Sequence, residues 1–187
     1  MTFIVHTMES APSDSRPTME ALKSKFGFLP NLAGVMAGAP ATLQGYATLG
    51  QLLESSSFSP MEQQLVLASV SWANACEYCV AAHSAGLTMT GIASEQLAAV
   101  REGRTLDDAR LEALRRFTVE MTQHRGRPEP AVVRAFFAAG FDPRAALEVI
   151  LAIGMKTIGN YVNHLAETPL DRQFAAFAWD GALAAAR

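Results

Sequence analysis

The sequence predicts an all-α protein, a helical bundle with a central helical hairpin core. No run shows the sustained period-two alternation of apolar and polar residues that is typical of a half-buried strand. Apolar residues recur instead at spacings of three and four, between helix-start residues such as Ser59-Pro60 and helix-stop residues such as Gly103. A chain of 187 residues, half of them apolar, is also long enough to bury a substantial core.

The domain organisation follows from where helix-breaking residues cluster. Ser and Pro residues interrupt the first part of the chain, so residues 1–17 are predicted to form an N-terminal arm. Residues 18–187 are predicted to form a single all-helical domain. The N-terminus lacks the pattern of a signal peptide, and no apolar run approaches the roughly 18 residues of a membrane span. We therefore expect a cytoplasmic protein.

Caps and turns divide the domain into successive helices. The clearest start is Ser59-Pro60, because Ser59 can cap and Glu62, three residues later, completes a capping box. Pro143 marks another start, in the first helical position. The predicted helices cover residues 19–25, a short segment ending near 38, then 40–54, 60–73, 76–87, 94–102, a segment opening at 105–108 and ending near 124, then 130–139, 143–165 and 171–185.

Two finer expectations concern the middle of the chain. Asn74 and Glu77 repeat the capping pattern, so a break is expected near Asn74, with Asn74 as the cap of a new helix that carries Cys76. Pro60 and Pro143 are each followed after eighteen residues by a tyrosine, Tyr78 and Tyr161. This repetition suggests two related helical hairpins.

Charge and cysteine content exclude several classes of protein. The formal net charge is −3 and no Lys/Arg stripe is present, so we expect no nucleic-acid partner and no membrane partner. The two cysteines are only three residues apart, which is not the pattern of a structural disulfide framework. A close pair in a reducing compartment more often carries out redox chemistry or binds a metal.

Cys76, Cys79 and His83 are the candidates for chemistry. Their spacings of three and four place all three on one face of a helix. A thiol reacts as its thiolate, and the imidazole one turn from Cys79 can take its proton. A redox pair with an assisting base is the first interpretation. A zinc site with these three ligands and a pair of inert buried cysteines are the alternatives.

The segment from Leu65 to Ala85, LVLASVSWANACEYCVAAHSA, resembles the core motif of the alkyl hydroperoxidase D-like branch of the carboxymuconolactone decarboxylase superfamily. The shared features are Cys-x-x-Cys-x-x-x-His, the preceding Ala-Asn-x and the Ala-Ala-His-Ser run. The resemblance extends more loosely from Phe26 to His164 and is strongest to the peroxidase-related proteins. It implies an all-α fold with a helical hairpin core and assembly into dimers, trimers or hexamers.

The resemblance also implies roles for individual residues. Cys79 would attack the peroxide, Cys76 would resolve the product, and His83 would belong to a proton relay. Gln64 stands where the family carries its relay Glu, and an amide cannot shuttle a proton. Glu62 is a candidate substitute, although the capping box is the simpler explanation for it.

A second group of polar residues lies late in the chain. Asn160, Tyr161, Asn163 and His164 are close together in one predicted helix. They are interpreted as a possible pocket wall facing the cysteine pair, or alternatively as an interfacial helix end.

The predicted function is a thiol-dependent peroxidase or disulfide reductase that acts on organic hydroperoxides. It would need no cofactor and no metal, but it would need a hydroperoxide substrate and an unidentified thiol reductant protein. The apolar composition further predicts a homo-oligomer. The alternatives are a redox sensor or binding module without turnover, and a cofactor-free lactone decarboxylase-like enzyme, whose branch generally lacks the cysteine pair.

Overall fold

The computed structural model describes residues 3–181, and within this range the regular structure is helical, without strands. This confirms the predicted all-α fold. The described helices are α1 (Arg16–Phe26), α2 (Asn31–Met36), α3 (Pro40–Glu54), α4 (Pro60–Ala73), α5 (Glu77–Met89), α6 (Ser94–Glu102), α7 (Ala109–Gln123), α8 (Pro130–Ala138) and α9 (Pro143–Ala166), with 3₁₀ helices at Ser13–Ser15 and Arg172–Phe177.

Helix α4 lies at the centre of the bundle. Its buried residues include a continuous run from Leu65 to Trp72, as expected for a helix covered on all sides. It packs against α5, α7 and α9. The larger apolar core surrounds it and includes the stacked rings of Phe117, Phe136 and Phe141.

A second apolar cluster lies between the N-terminal helices and the start of α5. Met19, Leu32 and Leu43 contribute to it, together with Cys76 and Cys79. The predicted arm packs onto this cluster. Ala11 is buried, and the backbone N–H of His6 donates to the carbonyl of Gly34 at 3.1 Å. The cysteines therefore sit within a packed interior that includes the beginning of the chain.

Two predicted elements differ from the structure. The predicted helix over 171–185 is a 3₁₀ helix at Arg172–Phe177 followed by non-helical chain to residue 181; positions beyond 181 lie outside the described residues. Helix α9 runs unbroken for 24 residues, as predicted for 143–165, so the suggested repeat lacks the break that separates α4 from α5. Tyr78 lies buried on α5, after the turn that separates α4 from α5, whereas Tyr161 lies exposed within the continuous α9.

Helix α9 has the length and composition of a membrane span, with a mean hydropathy of 1.3 over its most apolar window. The run-length argument from the sequence did not identify it. A core helix has the same properties, and α9 packs against α3 and α4. It also buries Lys156, Asn160 and Asn163. These three side chains point to a role for α9 in the site.

Candidate active site

The turn between α4 and α5 positions the cysteine pair. Helix α4 ends at Ala73, Ala75 adopts a left-handed backbone conformation (φ 53°), and Cys76 is the N-cap of α5. The predicted cap, Asn74, is wrong: it is the C-cap of α4, and its Nδ2 donates to Asn160 Oδ1 at 2.9 Å. The cap of α5 lies two residues later than predicted because the left-handed residue interrupts the helix.

Replacing Ala75 with glycine should stabilise the fold by about 1 kcal/mol, because an L-residue pays roughly that amount for a left-handed conformation. The midpoint of urea unfolding should rise. The matched control is Ala98→Gly within α6, where glycine should instead cost about 1 kcal/mol. A lower midpoint for Ala75→Gly would show that the turn is not strained.

The two thiols are reduced and buried, and they share their partners. They are hydrogen-bonded to each other. The side chain Nδ2 of Asn163 donates to both, at 3.1 Å from Cys79 Sγ and 3.7 Å from Cys76 Sγ. Cys79 is the third residue of α5, where the helix N-terminus favours negative charge.

Lys156 of α9 is the residue that sequence reasoning missed. Its side chain is 1 % exposed, it hydrogen-bonds Cys79, and its Nζ lies 2.9 Å from Nε2 of His83. A fully buried lysine is rare unless it is paired. The available signal was a lone lysine at helical spacing from Ala152, Asn160 and Asn163, all on the buried side of an apolar helix.

The surroundings make Cys79, and not Cys76, the thiolate. Burial alone would raise the pKa of Cys79. The hydrogen bond from Cys76, the charge and hydrogen bond of Lys156, and the amide of Asn163 together lower this pKa to about 5. The pKa of Cys76 is raised, because its thiol donates to Cys79 and because it is buried. The thiolate in turn raises the pKa of Lys156 despite its burial.

His83 is neutral and is oriented by two neighbours. Burial, and then the charge of Lys156, lower its pKa well below the usual range. Nδ1 therefore donates to Oε1 of Gln64 at 3.0 Å, and Nε2 accepts from Lys156. Gly86 makes room for this arrangement, since any Cβ there would overlap the Gln64 amide. His83 therefore contacts Lys156, and Lys156 in turn hydrogen-bonds the Cys79 thiolate. The helix spacing suggests instead a direct contact between His83 and Cys79.

The carboxylate of Glu62 is engaged at the start of α4. It accepts from the backbone N–H of Ser59 at 2.9 Å, completing the capping box, and from Nε of Arg110 at 3.1 Å. Gln64 is the residue of this pair that reaches His83.

The four polar residues from Asn160 to His164 have different surroundings in the structure. Asn163 contacts both thiols, whereas Asn160 pairs with Asn74. His164 lines a cavity beside Cys76. Tyr161 is 63 % exposed and does not line either of the two cavities beside Cys76 and Cys79. The predicted pocket wall is therefore formed by Asn163 and His164.

Two cavities, each of about 440 Å³, reach the cysteine pair. The first, termed the polar cavity for its charged and hydrogen-bonding residues, is lined by Cys76, by Glu77, Tyr78, Asn163, His164, Glu167 and Thr168, and by the apolar Ala75, Leu170, Ala178 and Trp179. The second is lined by Cys79, Gln64, His83 and Lys156, and otherwise mainly by apolar side chains: Leu22, Phe26, Leu32, Leu53, Leu67, Met89, Met155 and Phe174. The thiolate and its cation thus face an apolar chamber.

Within residues 3–181, no group of three or more His, Cys, Asp and Glu side chains is placed to hold a metal ion. Both ring nitrogens of His83 are engaged, by Gln64 and Lys156. The arrangement of these residues is that of a thiolate with a fixed counter-ion.

Comparison with known proteins agrees with the motif. Residues 40–120 match the carboxymuconolactone decarboxylase family, a segment that includes Gln64, both cysteines and His83 but not Lys156. This confirms the family resemblance drawn from the sequence. No curated protein sequence matches the chain.

Solved structures share the fold across nearly the whole chain. An uncharacterised peroxidase-related protein with an alkylhydroperoxidase core, from Ralstonia eutropha JMP134, is 20% identical, with a TM-score of 0.79 over 91% of this chain and 92% of its own. One from Silicibacter sp. TM1040 is 21% identical, with a TM-score of 0.77 over 92% and 93%. The debrominase Bmp8, as a C82A variant with 2,3,4-tribromopyrrole, is 18% identical, with a TM-score of 0.80 over 95% of each chain.

Proposed function

We propose, from the family match of residues 40–120 and the geometry of the site, that this protein is a thiol-dependent peroxidase that reduces organic hydroperoxides. The observation that carries the proposal is the buried pair formed by Cys79 and Lys156. It supplies a nucleophile and a proton donor at the wall of an apolar cavity.

In the first step the Cys79 thiolate attacks the terminal oxygen of the hydroperoxide. The O–O bond breaks, Cys79 becomes a sulfenic acid, and the alkoxide leaves with a proton from Lys156. Preorganised charge of this kind is most effective where water is excluded. Lys156 lies at the cavity wall and contacts the thiolate, so one cation can stabilise both the nucleophile and the developing alkoxide.

In the second step Cys76 attacks the sulfenic acid. Lys156, now a neutral amine, accepts the Cys76 proton and returns it to the departing hydroxide, which leaves as water while the disulfide forms. The hydrogen bond between the thiols already holds the two sulfurs together. Lys156 ends this half of the cycle neutral, since the disulfide carries no charge to balance it.

Gln64 and His83 act by positioning Lys156. The Gln64 carbonyl accepts the Nδ1 proton and so keeps the Nε2 lone pair directed at the ammonium. The amide at position 64 cannot carry a proton, and in this proposal it does not need to, because Lys156 performs the transfers.

The test is turnover of cumene hydroperoxide, with dithiothreitol as the electron donor. Turnover should exceed the protein-free rate, and cumene hydroperoxide should outperform hydrogen peroxide by about tenfold or more. Burying an aromatic ring in an apolar cavity contributes roughly 1.5–3 kcal/mol. Consumption at the protein-free rate would reject the proposal.

A second candidate reaction uses the same residues. The apolar cavity beside Cys79, together with the fold shared with a debrominase, favours reductive dehalogenation of an apolar aromatic. In that reaction the two thiols supply two electrons, bromide leaves and hydrogen replaces it. Release of bromide from 2,3,4-tribromopyrrole, without turnover of cumene hydroperoxide, would favour this function over the first.

We propose that the enzyme works in the cytoplasm, a reducing compartment in which close thiols can be kept free. The proposed reductant is a thiol protein.

Assembly into a homo-oligomer should depend on α9. Leu147, Ile150, Tyr161 and Leu165 are exposed by 49 to 71 % and share one face of this helix. Replacing Leu147 and Leu165 with Glu should yield monomers in light scattering, with helical content unchanged. Exposed Phe137 of α8 provides the control, Phe137→Glu. A wild-type monomer at micromolar concentration would contradict the proposal.

A further inference from the structure

The two cysteines are reached from different cavities. Cys76 lines the polar cavity and Cys79 lines the apolar one, and Tyr78 is the residue common to both walls. The proposed reaction with peroxide uses the apolar cavity, because the thiolate and Lys156 lie there. It gives no role to the polar cavity of about 440 Å³.

The polar cavity has unsatisfied acceptors in its wall. Oδ1 of Asn163 and Oγ1 of Thr168 are buried without a hydrogen-bond partner among the described residues. Asn163 is 6 % exposed, and its Nδ2 is engaged by the two sulfurs. A buried polar group without a partner is costly, so the wall is suited to a molecule that brings a donor to within reach of Cys76.

The chemistry of disulfide reduction favours the same side. In thiol–disulfide exchange, the sulfur that leaves is preferentially the one with the more stable thiolate. Lys156, Asn163 and the Cys76 thiol stabilise the Cys79 thiolate and lower its pKa to about 5. Attack on Cys76, which expels Cys79, is therefore the favourable direction.

We infer that the polar cavity beside Cys76 is the entry site of the reductant, so that peroxide and reducing thiol approach the cysteine pair through separate cavities. This inference rests on the proposed function for its place in the cycle, but the reduction of the disulfide can be measured without any peroxide.

The steps balance with two thiols. The first reductant thiol attacks Cys76 Sγ as its thiolate, and the proton that it releases passes through solvent to the neutral Lys156. A mixed disulfide forms, the Cys76–Cys79 bond breaks, and Cys79 leaves as the thiolate beside the Lys156 ammonium. A second thiolate, from the same dithiol or another molecule, attacks the outer sulfur of the mixed disulfide. Cys76 is released and protonated, and the reductant leaves as its own disulfide with two electrons lost.

The charge of the cavity identifies the class of thiol. Glu77 and Glu167 lie in its wall and both are exposed, so their carboxylates disfavour an anionic reductant. The site fits an uncharged or cationic thiol.

The first experiment identifies the attacked sulfur. Wild-type protein is oxidised to the disulfide with diamide, treated briefly with 2-mercaptoethanol, quenched in acid, alkylated and mapped by peptide mass spectrometry. The mercaptoethanol adduct should lie on Cys76, at least tenfold over Cys79. An adduct on Cys79, or an equal distribution, would overturn the inference. Failure of peroxide to oxidise the protein would instead reject the proposed function and leave this result intact.

The second experiment blocks each cavity separately. Thr168 lines only the polar cavity and Ala47 only the apolar one. Thr168→Trp should slow reduction of the diamide-formed disulfide at least tenfold and leave oxidation by cumene hydroperoxide within twofold. Ala47→Trp should slow oxidation by cumene hydroperoxide at least tenfold and leave reduction of the disulfide within twofold. Equal slowing of both half-reactions by either correctly folded variant would show a single shared entrance.

The third experiment tests charge. 2-Mercaptoethanol should reduce the disulfide several-fold faster than 2-mercaptoethanesulfonate, and the difference should disappear when Glu77 and Glu167 are both replaced by Gln. Equal rates with the wild-type protein would overturn the assignment of an uncharged or cationic thiol.

Discussion

Lys156→Met is expected to slow the reaction of Cys79 with cumene hydroperoxide at pH 7 by at least about 30-fold. With a pKa of about 5, Cys79 is almost entirely thiolate at this pH. Without the ammonium, burial should raise the pKa toward the ~8.5 of a free thiol against the remaining hydrogen bonds from Cys76 and Asn163, so a smaller fraction of Cys79 is thiolate. Loss of the proton donor should add to the effect.

The pH profile separates this role from a structural one. Alkylation of wild-type Cys79 by iodoacetamide should be nearly constant from pH 6 to 8 and should decline as the pH approaches 5. In Lys156→Met it should still be rising above pH 8. Lys23→Met, at an exposed lysine of α1, is the control and should behave as wild type. Identical profiles for the wild type and Lys156→Met would show that the lysine does not hold the thiolate.

The free energy of unfolding should depend on pH through the charges of Cys79 and Lys156. The folded-state pKa of Cys79 lies below that of an unfolded thiol, so its contribution to stability is fully present above about pH 8.5 and is lost as pH falls toward 5. The pKa of Lys156 is raised, so its contribution is present below the unfolded value of about 10.4 and is lost above it. Lys156→Met should flatten the slope contributed by Cys79, which urea unfolding of both proteins between pH 5 and pH 8.5 measures.

Cys79→Ser is expected to reduce turnover of cumene hydroperoxide to the protein-free rate, a loss of about 10³-fold or more, because a serine hydroxyl is not ionised here and is a poor nucleophile. Cys76→Ser should behave differently. Without added thiol it should consume one equivalent of hydroperoxide, as the wild type does, but end with a sulfenic acid on Cys79 that dimedone labels in place of the disulfide. Continued turnover by Cys79→Ser, or dimedone labelling of Cys76 in that variant, would reverse the assigned roles.

Much of the fold could be predicted because its signals are local. The capping box of Ser59 and Glu62 and the stop at Gly103 act within a few residues, and both appear in the structure as expected. The shift of the α5 cap from Asn74 to Cys76 could not be predicted, because it depends on the left-handed conformation of Ala75. Nothing in the residue type alone indicates that conformation.

The site was predictable only where it is local in sequence. The two cysteines and His83 lie within eight residues, and their spacing identified them. Lys156 lies 73 residues from His83, and its role depends on how α9 packs against α5. Asn163 was recognised as a possible wall residue, but its contact with both sulfurs depends on the same packing.

In the proposed reaction the two thiols act as one two-electron centre toward a hydroperoxide. The most direct measurement adds one equivalent of cumene hydroperoxide to the reduced wild-type protein and follows free thiols and intact mass together. We expect both thiols to disappear, the protein to lose the mass of two hydrogen atoms, and one equivalent of cumyl alcohol to form. Two thiols that persist after the hydroperoxide has been added would contradict the account.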